Sequence, residues 1–318
     1  MSSLVYVEPN AANEIVAMTL LLMSSFSLPA SLVLLKLEAS IVSVYNLILL
    51  QAIGQVILAS FGCMVLKVNP IQHKVFGQLL AGLLGAVGTI VGLFGVIYME
   101  LVYATMLKFS AALFTPIFAR IYFKEKISEA KAICIILGFI ALSLTTFGAA
   151  ESRFSQYPYR NWAIGATFAC SISISLFKII AKELSYETHF IGILLYTSIW
   201  YLLIAIALKL VFDVFALDFQ GITLVVILTL GLFFGQVMGL LSLTKTATLT
   251  TTIIKNLDIL FGVVFGLLIF KEQLQWEMIA GFIILLIVVI VLMLEEYRNM
   301  KKNEIKSKDS NATIQNSE

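Results

Sequence analysis

Long apolar runs broken by brief polar stretches set the pattern of this chain. Cutting it at charges and turn-forming residues leaves ten runs of about the 20 residues that a helix needs to cross a bilayer core. They cover approximately 14–35, 43–66, 75–97, 101–122, 130–149, 161–181, 188–211, 222–243, 247–269 and 276–294. The connections are short, which makes consecutive helices antiparallel hairpins. "VNPIQHK" and "SRFSQYPYRN" are the clearest breaks, because Pro and Asn favour turns. Beyond Leu294 the pattern stops. The stretch 295–318 is polar and charged and reads as a disordered tail. The first thirteen residues hold no Lys or Arg, so the positive region of a cleavable signal peptide is missing, and the first run reads as a retained membrane helix.

Composition agrees with the pattern. Hydrophobic residues make up 60% of the 318 and charged residues 13%, against roughly 25% charged in soluble domains. The expected class is an all-α polytopic membrane protein. The net charge of +2 gives no field for a nucleic-acid partner. Cys63, Cys134 and Cys170 are isolated in apolar runs and read as small buried side chains, not as a disulfide framework or metal site. Placing the ten runs alternately across a membrane puts fourteen Lys and Arg on the side of both termini and five on the other, namely Lys36, Arg153, Arg160, Lys209 and Lys271. Positive charge favours the cytoplasm, so both termini are expected there. The sequon at Asn311 then reads as chance.

The chain also repeats itself. "FKEK" at Phe123–Lys126 and "FKEQ" at Phe270–Gln273 are charged islands 147 residues apart. At that offset "TMLKFSAALFTPIFARIYFKEK" falls on "TIIKNLDILFGVVFGLLIFKEQ" with eight identities in twenty-two positions. Thr105 meets Thr252, and Lys108 meets Lys255. The same offset pairs Gly88 with Gly235 and Gly92 with Gly239, two GxxxG patterns that allow close helix approach. The expected organisation is therefore a short N-terminus at 1–13, a first five-helix unit at 14–149, a linker loop at 150–160, a second unit at 161–294 and the tail. Because five is odd, the second unit enters the membrane inverted. Inverted repeats are a common transporter construction, with the binding site near the midplane between them.

On these residues the chain resembles the drug/metabolite transporter superfamily, EamA-like branch. "YATMLKFSAALFTPIFARIYFKEKIS" and "IIKNLDILFGVVFGLLIFKEQLQWEMIAGFIILL" are similar above all to the G-type members of solute carrier family 35. The likeness covers roughly 14–294 and implies a secondary carrier of small solutes; it does not name the solute. Gln273 and Gln275 are more polar than the usual second island.

Two basic residues fall within the runs and away from their ends, Lys108 and Lys255, each about seven residues into its helix. A lysine at a helix centre costs about 2.5–3.5 kcal/mol to insert, so this matched pair points to use. Asp258 lies three residues after Lys255, on the same face, and is the one acid that reads as buried. Thr105 and Thr252 stand a turn before each lysine. Together Lys108, Lys255, Asp258, Thr105 and Thr252 are the candidate substrate-binding set: a cationic cavity for an anionic or zwitterionic metabolite. The serines at 24, 25, 27 and 31, and at 171, 173 and 175, read mainly as interhelix hydrogen-bonding groups. Trp162, Trp200 and Trp276 read as interfacial belts. His73 and His189 lie near loops and complete no catalytic motif. The expectation is a transporter and not an enzyme, with no metal and no cofactor, in the plasma membrane in preference to internal membranes. A non-transporting membrane adaptor is the alternative.

Overall fold

The computed structural model describes residues 11–294 except 41, 70–73, 109, 124–128, 152–158, 185–186, 213–221, 244–256, 273–274, 289 and 292–293. Among the described residues every regular element is helical. In chain order these are α1 (Ala11–Glu38), α2 (Val44–Val65), α3 (Val75–Ile97), α4 (Leu101–Lys108), α5 (Ser110–Phe123), α6 (Glu129–Glu151), α7 (Arg160–Leu184), α8 (Phe190–Phe212), α9 (Ile222–Leu243), α10 (Leu257–Ile269) and α11 (Trp276–Val288). α4 and α5 form one span, Leu101–Tyr122. Among the described residues seven helices are long and apolar enough to cross a membrane, and three shorter apolar helices accompany them: Ala132–Thr145, Leu257–Ile269 and Trp276–Val288. These ten segments coincide with the ten expected runs. The ninth differs because 247–256 lies outside the described residues.

Local sequence explains the element ends. α1 runs unbroken through Pro29. α2 stops where Lys67 takes a left-handed φ of 51°, which lets Lys67 and Val68 donate back to Met64 and Cys63 at 3.2 and 3.0 Å; this is the closing pattern of a helix C-terminus. His189, placed near a loop by the sequence, precedes α8, and its Nδ1 accepts the Ile191 N–H at 3.3 Å. Burial lowers its pKa.

Packing follows the small residues. α3 lies along α7 and α8, α1 along α9 and α10, α2 along α8 and α9, and α4 along α7 and α10. Gly88, Gly92 and Gly95 meet Ile174, Cys170 and Thr167 in turn, so α3 and α7 run antiparallel. Gly231 and Gly235 meet Ser31 and Leu28, which makes α1 and α9 antiparallel too. Gly262 and Gly266 on α10 receive Thr105 and Val102 of α4. The seam buries Leu101, Val102, Met106, Leu107 and Leu113 in one core with Leu47, Ile90 and Leu228. Outward faces are apolar as well. Ile133, Ile136, Leu137, Ile140 and Leu144 form one exposed stripe along α6 at helical spacing, a surface that suits hydrocarbon and not water. Trp162 and Trp276 are 82% and 84% exposed near helix starts. Trp200 instead sits mid-helix in α8, partly buried, away from any belt.

The close approaches make a paired prediction. A Cβ on Gly82 would stand 2.8 Å from the Tyr196 carbonyl carbon and 2.9 Å from its oxygen, backbone that cannot rotate away, whereas nothing lies within 4 Å of one on Gly165. Gly82→Ala is expected to destabilise by about 1–3 kcal/mol. Gly165→Ala should be neutral or stabilise by up to about 1 kcal/mol through helix propensity. Melting temperatures in one detergent check both signs.

Candidate functional site

The interior site is built around the junction of α4 and α5. Lys108 ends α4 inside the bundle, and its side chain stays partly exposed. Its ammonium lies across Gly92 of α3: a Cβ there would be 3.6 Å from Nζ, 3.4 Å from Cε and 2.7 Å from Cys170 Sγ. Gly92 thus leaves room for both side chains. The charge of Asp258, at the start of α10, reaches Lys108. Groups from α3, α4, α7 and α10 therefore converge on one place.

Serines of α7 hold the backbone that carries Lys108. Ser175 Oγ donates to Ala111 O at 2.9 Å, and Ser171 Oγ makes longer contacts of 3.5 Å to the carbonyls of Leu107 and Lys108. Both also bond one turn back within α7, at 2.7 and 3.0 Å. In a membrane interior such bonds answer carbonyls that water cannot reach. The expectation that these serines link helices is met here and on α1, where Ser24 and Ser27 donate to the carbonyls of Gly235 and Gly231, each at 2.7 Å.

The five candidate residues fare differently. Lys108 and Asp258 share the interior. Thr105 is buried beside them, but its hydroxyl bonds the carbonyls of Leu101 and Val102 at 2.9 and 2.8 Å, and its methyl fills the groove at Gly262. The methyl contact packs α4 against α10. Lys255 and Thr252 lie outside the described residues, as does His73. The three cysteines are free and buried.

Sequence reading missed a second polar cluster. Lys36 and Lys209, assigned to the outer ends of their runs, are buried, and so are the acids Glu38 and Glu272. Glu272 Oε1 accepts from Lys36 Nζ at 2.9 Å and from the Leu101 N–H at 2.8 Å, while Oε2 accepts from the Val102 N–H at 2.8 Å. Lys36 also donates to Met99 O at 2.9 Å and stands 4.9 Å over the Phe270 ring. The available signal was the repeated island itself, whose Glu sits one residue after the apolar helix and a lysine. At the opposite end of the bundle Lys74 pairs with Glu187 at 3.0 Å and Glu183 at 3.7 Å, and Tyr122 donates to Glu183. Its hydrogen bond to Glu187 raises the Lys74 pKa above the usual lysine value, but this network is two-fifths to one-half exposed.

No family model and no curated protein matches the chain. Solved structures do: 27 chains match. One crystal structure of a protein superposes with a TM-score of 0.60 over 89% of this chain and 98% of its own, at 12% identity. That likeness shows a shared helical fold.

The two clusters should respond oppositely to mutation. Lys108→Met removes a charge held away from bulk water and should leave the melting temperature unchanged or higher. Glu272→Ala strands a buried lysine and two helix N–H groups and should cost about 3–5 kcal/mol. Thermal unfolding of the two purified variants in detergent decides between these assignments.

Proposed function

We propose that the protein is a secondary carrier, working by alternating access, for a small organic anion or zwitterion, and that it belongs with the drug/metabolite transporters it resembles. The observation that carries the reading is Lys108: a partly exposed cation inside the bundle, with α3 and α4 of the first half and α7 and α10 of the second around it. A charge in that setting is costly, and an anionic solute would balance it.

Three features support the inverted arrangement behind this reading. The helix neighbours are paired: α3 on α7 matches α1 on α9, and α3 on α8 matches α2 on α9. Ser27 donates to the carbonyl of residue 231 and Ser173 to that of residue 84, both at 2.7 Å; the acceptors are separated by the 147-residue offset of the sequence repeat. The antiparallel contacts of α3 with α7 and of α1 with α9 agree with a second half that enters upside down. For a carrier, two similar halves give two conformations of similar energy, open to opposite sides.

Reconstituted in liposomes, the protein should accumulate carboxylate-bearing solutes from a panel of organic anions, amino acids and size-matched cations. Lys108→Gln should weaken the anions about tenfold or more, equivalent to about 1.4 kcal/mol, and spare neutral solutes. Thermal stabilisation by quaternary ammonium compounds, with carboxylates ignored, refutes the cationic site.

The fourteen-to-five distribution of Lys and Arg supports termini in the cytoplasm. An epitope placed after Glu318 should stay hidden from antibody in intact cells and appear on permeabilisation. Staining of intact cells by protein at the cell surface reverses the orientation.

A further inference from the structure

Glu272 joins three helix ends that a moving bundle has to part. It stands beyond the C-terminus of α10. Its carboxylate bonds Lys36 near the C-terminus of α1 and the first two N–H groups of α4. Lys271 adopts a left-handed φ of 52°, and the Glu272 N–H returns to Gly266 O at 3.2 Å. That turn swings the carboxylate back across the end of α10. A left-handed lysine is strained, and such strain persists where surrounding contacts over-determine it. The side chains of Lys36 and Glu272 are only 10% and 6% exposed. Lys108 lies seven residues into α4, about 10 Å below this clasp at 1.5 Å per residue.

We infer that the Glu272–Lys36 clasp is the closed gate over the Lys108 cavity at the end of the bundle where α1 finishes, and that it parts when the cavity opens to that side. The inference rests on the carrier reading. Its chemistry suits a gate. A charged pair closed away from water gives up hydration, and each partner recovers that hydration when the pair separates into an open, wet vestibule. An apolar plug would instead expose greasy surface on opening. The clasp also bridges the proposed halves, since Lys36 and α4 belong to the first and Glu272 to the second. The charges at the opposite end, Lys74 with Glu183 and Glu187, are already half in solvent, and exposed pairs of that kind hold weakly. The conformation is thus sealed by buried charge at one end and loosely tied at the other.

The test needs no knowledge of the solute. Cys63, Cys134 and Cys170 are replaced by Ala, and Lys108→Cys supplies the one thiol. A membrane-impermeant methanethiosulfonate reagent is applied to either face of sealed vesicles. Labelling is expected to be slow from the face bearing the α1–α2 turn and faster from the other. Glu272→Gln should raise the rate from the α1–α2 face at least tenfold, and Lys36→Met should do the same. The lysine variant keeps the test open should the glutamate change fail to fold. Labelling from one face at a rate indifferent to both substitutions overturns the gate and leaves the carrier reading standing. Labelling from neither face in any variant overturns the cavity, and the gate with it.

Discussion

Water is absent from a bilayer core, so each buried backbone or side-chain polar group has to be answered from within the chain. The rest of this structure depends on that constraint. Helices satisfy their own ladders, and what remains is handled at contacts between them. Ser24 and Ser27 reach carbonyls of α9, Ser173 reaches α3, and Ser175 reaches α5. Each of these bonds needs the two backbones close together, and glycines at 88, 92, 231 and 235 provide the approach. Small residues and serines are therefore one device: the first admits the neighbouring helix, and the second bonds to it.

The same constraint governs the two sites of charge, with opposite results. Glu272 is answered almost completely, by an ammonium and two helix N–H groups. The positive end of α4 adds to the attraction. Among the described residues Lys108 is answered only in part: its side chain lies across Gly92 together with the Cys170 thiol, and the charge of Asp258 acts on it. A satisfied charge fixes geometry; an incompletely satisfied one leaves capacity for something else to bind. That contrast sets Lys108 apart from the fastening without reference to any relative.

Most of the architecture was legible because hydrophobic runs of membrane length have few alternative readings. Their positions reappear as helices, and three of the matched glycines, Gly88, Gly92 and Gly235, reappear at helix contacts. What escaped was anything decided by direction. Lys36 and Lys209 sit at the ends of apolar runs, where a lysine ordinarily reaches outward to the interface; both turn inward instead. Thr105 lies on the helix beside Lys108 as expected, but which of its two branches faces a neighbour is set by Gly262, more than 150 residues away. Trp200 was placed in a belt as a residue near a span end, and the extent of α8 puts it mid-helix. Sequence spacing gives the face of a helix; only the partner helix gives the meaning of that face.

The charged islands combine both lessons. Their recurrence at a fixed offset was visible in the sequence, where it suggested a copied and inverted five-helix unit but no role for the island itself. The described copy shows why a short "FKE" after an apolar helix is useful. The helix ends at Ile269, just before the island, the lysine takes the left-handed turn, and the glutamate is thrown back over the helix end, where a second helix begins. Three residues thus convert the end of one span into a cap for another and fix the height at which the two cross. Because the cap is a carboxylate, it also draws a cation, and Lys36 at the end of α1 fills that place. The fastening arises from local backbone geometry first and from charge second. This order explains why the pair is buried at the bundle's end while Lys74, whose partners lie on the exposed end of α7 and the turn beyond it, remains half in solvent.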